Sequence, residues 1–219
     1  AQSLGRRFLF RTAASFVRVR AGVVPRPGLL SPKELIRNNP RAGALFIAGS
    51  YVPKTTAQIT ALIRHTDILP VEIPVELLLD KTVREKTIQQ TGKQVTKALH
   101  AGRDTLIYTS RKLISDTDPG HSLSIGQSIS DGLADIVRSI SCRPRFILAK
   151  GGITSSDLAT KGLQVRRAMI LGQILPGVPV WQLGNESLHP GMPYIVFPGN
   201  VGDDDALVRI HETLRTTVP

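Results

Sequence analysis

The residues best suited to chemistry lie in three turns. In the first to consider, Lys150, Gly151, Gly152, Ile153, Thr154, Ser155, Ser156 and Asp157 run on directly from the apolar stretch FILA at 146–149. Two adjacent glycines let the main chain approach a ligand with no Cβ in the way. Free N–H groups at the start of a following helix favour anions, and three successive hydroxyls add donors. Such a turn can cradle a phosphate. It reads equally as a tight turn with a Ser or Asp helix cap. Its spacing matches neither a Walker A loop nor the dinucleotide GxGxxG pattern.

The second turn is GSYVPKTTAQ at 49–58, where Ser50 ends an apolar run and Lys54 follows. Thr55 or Thr56 is a natural N-cap, with Gln58 at capping-box distance from Thr55. The third is PGNVGDDD at 198–205, in which Gly199 and Gly202 flank Asn200. Its acids complement a helix dipole; the rival reading makes Asp203 a carboxylate near a magnesium ion, since phosphoryl transfer needs Mg²⁺. Arg111, after the run TLIYT, is placed either to clamp a phosphate or carboxylate or to form a surface ion pair. The five histidines are scattered without metal-ligand spacing. Trp181 reads as core or hairpin packing, with base stacking as the rival.

These turns need a scaffold that brings them together. Short apolar runs at 44–48, 105–109 and 146–149 read as strands covered on both faces. Further strands are expected at 68–79 (an edge or bulged strand, because of Pro70 and Pro74), 167–171, 178–183 and 194–197. Helices are expected at 55–65, 82–101, 122–141, 156–163 and 204–214. Residues 1–22 read as a helix or strand with a basic face, and 29–40 as linker with a helical turn opening at Ser31. Alternating strands and helices predict a three-layer α/β/α sandwich with a largely parallel central sheet. Ligands of such sheets collect at the carboxyl ends of the strands.

The 219 residues carry a formal charge of +11, but the excess is local. Residues 1–41 hold nine Lys/Arg against Glu34 alone, whereas the rest is nearly balanced. The basic stretch has no nucleic-acid motif and few aromatics, which disfavours nucleic acid as a partner. Its Arg, Ala and Ser also resemble a mitochondrial presequence. The opening Ala1 suits an excised internal piece. No apolar run reaches the roughly 20 residues of a membrane span. The single cysteine, Cys142, rules out an internal disulfide. A soluble, cytoplasmic protein is expected.

GSYVPKTTAQI, ILAKGGITSSDLATKGL, LGQILPGVPVWQLG and YIVFPGNVGDDDAL, in that order, resemble the nucleotide-binding C-terminal domain of the four-carbon acid sugar kinase family, formerly a domain of unknown function. The resemblance covers about 41–217. It implies a kinase that moves the γ-phosphoryl of ATP, with Mg²⁺, to a hydroxyl of a tetronate or keto-tetronate. It implies that Ser50 contacts ATP, that Gly151, Gly152, Ile153 and Thr154 line its phosphates, and that Gly199 sits at the nucleotide. Lys150, Ser155, Asn200 and Arg111 are added from the turns themselves, and Asp203 as a metal candidate. Residues 1–30 resemble the last element of the family's N-terminal substrate-binding domain, 31–40 a linker, and 41–219 the nucleotide-binding domain. The acid-rich DDxTG-type motif of that N-terminal domain is absent. The catalytic base is therefore expected in a missing domain of the same chain, and this portion alone is expected to be inactive. A homo-oligomer is compatible with this reading. The alternative is a non-catalytic interaction or regulatory module, within a fused dehydrogenase–kinase–aldolase chain.

Overall fold

Ala44 to Ala48 has no polar side chain, and all five residues are buried. A strand with this pattern must be covered on both faces. In the computed structural model it becomes β1 (Leu45–Ala48), an interior strand of a seven-stranded sheet. The structure describes residues 5, 9–12, 14–24, 26–36, 41–49, 52–110 and 119–215.

The remaining strands are β2 (Leu69–Ile73), β3 (Thr105–Thr109), β4 (Ile147–Lys150), β5 (Ala168–Leu175), β6 (Val178–Leu183) and β7 (Pro193–Phe197), in the order β2-β3-β1-β4-β7-β6-β5. β2, β3, β1, β4 and β7 are parallel. β6 runs antiparallel to both β7 and β5, which closes the sheet with a hairpin. The helices are α1 (Ala14–Arg20), α2 (Pro32–Leu35), α3 (Pro53–His65), α4 (Val75–Leu79), α5 (Arg84–His100), α6 (Pro119–Ser139), α7 (Gly152–Asp157) and α8 (Ala206–Arg215). α7 runs on into a π-helical turn at Leu158–Gly162.

Alternation along β1 divides the core. Leu45 and Ile47 face one cluster with Val95 of α5, Ile136 of α6 and Leu158. Phe46 and Ala48 face another with Leu62 of α3 and Ile210 of α8. The result is the expected α/β/α sandwich. Two local expectations fail for a shared reason, proline. The run 68–79 is not one strand: β2 stops at Ile73, and Pro74 caps α4, which buries Val75 and Leu78. Thr55 is not an N-cap: Val52 is, with Pro53 at the first helical position.

Both sheet borders are modified. At β2, Pro70 has no N–H to offer a neighbour. At β5, Leu30 N–H donates to the Gln173 carbonyl (2.8 Å) and Arg26 Nη1 to the Leu171 carbonyl (3.2 Å).

At the amino ends of the strands sits a buried charged lock. Arg145 Nη2 donates to the Asp104 carboxylate and lies 3.0 Å from each of its oxygens. Arg145 Nη1 donates to the Ala42 carbonyl (2.9 Å), and the Ala44 N–H donates to Asp104 (2.7 Å). His211 Nε2 of α8 lies 3.1 Å from the same carboxylate. Burial pushes the Asp104 carboxyl up, but His211 and the Arg145 charge outweigh it and hold it below its ordinary 3.8.

Gly43, leading into β1, is a close-approach site. A Cβ there would lie 2.1 Å from the Arg103 carbonyl oxygen. Gly43→Ala is expected to destabilise the fold by about 1–3 kcal/mol, the usual cost of overpacking, as read from a denaturant midpoint.

Candidate functional site

The register sets the site. Ala48 pairs with Lys150, and Lys150 with Phe197, so β1, β4 and β7 end level with one another. The chain leaves β1 and β7 toward the α3/α8 face, but leaves β4, which lies between them, toward the α6/α7 face. Adjacent connections that part to opposite faces open a crevice at the carboxyl ends of the strands. A cleft of about 540 Å³ occupies it, lined by Val52, Pro53 and Lys54 from the first turn, Gly151, Gly152 and Ile153 from the second, and Gly199 and Asn200 from the third. That volume suits a small-molecule ligand.

Gly151 has φ 106°, which only glycine adopts without strain, and it aims the chain from β4 into α7. Gly152 and Gly199 differ. Neither has a positive φ, and a Cβ built on either meets no atom within 4 Å. The fold does not require glycine there. Both positions border the cleft, so a side chain would take up ligand space.

The amides of Gly152, Ile153 and Thr154 open α7 and have no earlier turn to bond to. α3 begins similarly: no side chain caps it, and its first turn faces the cleft with Lys54. Helix N-termini attract anions. Val52 and Ile153 are exposed apolar side chains on the walls. The arrangement offers main-chain donors and positive charge between apolar surfaces.

Lys150 lies beneath, fully buried. Its Nζ donates to the carbonyls of Pro198 (2.9 Å) and Gly199 (3.1 Å), and sits 4.3 Å from the centroid of the Phe197 ring. Burial pushes its pKa down to about 8, helped by the Lys54 charge. Lys54 Nζ donates to the Gly202 carbonyl (2.9 Å), and Gln58 Nε2 to those of Val201 (3.1 Å) and Asp203 (2.8 Å).

Of the residues singled out from the sequence, Gly151, Gly152, Ile153, Gly199 and Asn200 line the cleft. Thr154 is buried one residue behind, its Oγ1 3.0 Å from where a Cβ on Gly49 would sit. Ser50 and Arg111 lie outside the described residues. Ser155 does not face the cleft: its buried Oγ is within hydrogen-bond reach of the Ala149 (2.8 Å) and Gly151 (2.6 Å) carbonyls and locks the turn. Lys150 reaches main chain. Asp203 turns outward, Oδ1 2.9 Å from Arg209 Nη1, and no group of three or more metal-ligating side chains occurs among the described residues. Trp181 packs on Tyr194, 6.0 Å between ring centroids, away from the cleft. Sequence reasoning missed the apolar wall of Val52 and Pro53. It also missed Gln58, whose partners lie in the β7–α8 turn, far along the chain. Pro53 ahead of Lys54 was the available signal for where α3 begins.

No helix among the described residues is long and apolar enough to cross a membrane. No curated protein gives a significant match. Solved structures do. A Haemophilus influenzae protein of the DUF1537 family superposes with a TM-score of 0.63 at 17% identity, over 91% of this chain and 45% of that one. A Bordetella bronchiseptica DUF1537 protein, a domain-swapped dimer with bound citrate, gives 0.61 at 20% identity, over 80% and 41%. A Salmonella typhimurium LT2 protein with a provisional tRNA-synthase name gives 0.56 at 20% identity, over 77% and 40%. This chain thus spans under half the length of each, and the likeness is one of fold. The family model described as the nucleotide-binding C-terminal domain matches residues 45–207. That span runs from β1 through all three turns, and the chain belongs to this family of nucleotide-binding C-terminal domains, found in four-carbon acid sugar kinase-like proteins.

Proposed function

We propose that the chain is the ATP-binding portion of a kinase that phosphorylates a hydroxyl of a four-carbon sugar acid. One observation carries this reading: Gly152 and Gly199 are kept free of side chains where only the cleft would feel them. The amides of Gly152, Ile153 and Thr154, with Lys54, would hold the phosphates. Val52, Pro53 and Ile153 would flank the base. Ser50, in the first turn, would join them. Phosphoryl transfer depends on positioning and charge stabilisation, and the cleft offers these to the nucleotide alone. The sugar acid and the base that accepts its hydroxyl proton are assigned to a second domain.

The division at 1–30, 31–40 and 41–219 follows. Leu9, Val19 and Val24 are among the most exposed apolar residues, which suits a segment belonging to a neighbouring domain. The domain-swapped Bordetella relative supports an assembly of more than one copy.

Calorimetric titration with ATP is expected to give saturable one-site binding with Kd of about 1 mM or tighter, and no phosphoryl transfer to tetronates by this chain alone. Absence of binding by folded protein, or sugar phosphates binding more tightly than ATP, would overturn the reading.

A further inference from the structure

Five of the six carbonyls from Pro198 to Asp203 are held by side chains of β4 and α3: two by Lys150, one by Lys54 and two by Gln58. A trans peptide unit points its C=O and N–H in opposite directions, and no cis peptide occurs here. The unit that ends in the Pro198 carbonyl's partner, the Gly199 N–H, is therefore oriented by Lys150. So is the unit joining the Gly199 carbonyl to the Asn200 N–H. Lys150 draws both carbonyls toward the buried side. The two N–H groups face the other way, where Gly199 and Asn200 line the cleft. Neither N–H has a partner among the described residues.

A buried ammonium is costly without a carboxylate, and Lys150 has none among the described residues. Among the described residues, two carbonyl dipoles and the Phe197 ring face compensate it. We infer that Lys150 is a positioning residue, not a phosphate ligand: it holds the β7–α8 turn so that the Gly199 and Asn200 amides form a second anion hole beside that of Gly152 and Ile153. This inference rests on the nucleotide reading above.

The charged groups around Lys150 are few. Among the described residues, the field of Lys54 on α3 reaches it. Asp203 of the β7–α8 turn is occupied by Arg209, and β1 and β7 end beside it in Ala48 and Phe197. Loss of the Lys150 proton weakens the two charge-assisted bonds that orient the amides. Folding stability moves the other way. Lys150 is depressed from 10.5 to about 8. The unfolded chain therefore binds more protons in that window, and the folded state gains stability as pH rises through it.

The test measures ATP affinity and the unfolding midpoint of the whole chain at about pH 7.5 and about pH 9.5, beyond the titration of the nucleotide's own phosphates. Affinity is expected to fall about fivefold, the difference between charged and neutral hydrogen bonding, while this residue's contribution to stability rises. Lys150→Met is expected to lose about tenfold in affinity at the lower pH and to flatten the profile, with Lys150→Arg restoring part of the loss. A flat wild-type profile overturns the inference without needing any variant. So does Lys150→Met binding as tightly as wild type. In both cases the nucleotide reading stands. Folded wild-type protein that binds no ATP at either pH overturns both.

Discussion

Gly152→Val is expected to weaken ATP binding by on the order of 100-fold or more while leaving the unfolding midpoint nearly unchanged. A Cβ at this position touches nothing in the fold, and the residue is exposed at the first helical position. The branched side chain would instead stand over the amides of Gly152 and Ile153. A hydrogen bond to a charged group contributes about 1.5–3 kcal/mol, so losing two removes about 3–6 kcal/mol, which exceeds a hundredfold in Kd. Gly199→Val should behave alike from the opposite wall. Paired calorimetric titrations and thermal melts decide the matter. Loss of binding accompanied by a large drop in the melting temperature would mean that these glycines serve the fold instead.

Asp104→Ala should give the reverse pattern. It strands the Arg145 guanidinium and His211 in the interior, where, among the described residues, Arg145 keeps the Ala42 carbonyl and the face of the Phe146 ring. Removing one partner of a buried pair costs about 3–5 kcal/mol, or about 6–20 °C in Tm for a chain of this size. The lock lies at the amino ends of the strands, so the folded fraction should bind ATP with wild-type affinity. The pH sign follows from the depressed Asp104 carboxyl. Its contribution is complete above 3.8 and is lost as pH falls below that value. Acid titration of wild type should show this loss, and titration of the variant should lack it.

The strands were legible because apolar runs such as 44–48 leave a buried strand little alternative, and the three turns because glycine beside a strand end is conspicuous. What stayed hidden depends on contacts between distant positions. Asp104, Arg145 and His211 are ordinary residues until β1, β3, β4 and α8 meet. Gln58 imitates a capping box with Thr55, yet its amide spans to Val201 and Asp203 because Pro53 starts the helix early. Ser155 looked like a ligand donor, but the sharp turn at Gly151 brings its hydroxyl back onto carbonyls of its own loop. Lys150 resembled a phosphate contact, and local sequence gives no sign that its ammonium ends inside the protein.

The treatment of the two outermost strands bears on how such a sheet avoids polymerising. An unpaired strand is a template for addition of another chain. One border interrupts the template with a residue that cannot donate, Pro70. The other has already given the Leu171 and Gln173 carbonyls to Arg26 and Leu30. Among the described residues, the beginning of β5 remains open, with Met169 and Ile170 uncovered, a stretch shorter than an average strand. The foothold for strand addition at that border is thereby short, and the opposite border lacks the donor that Pro70 replaces.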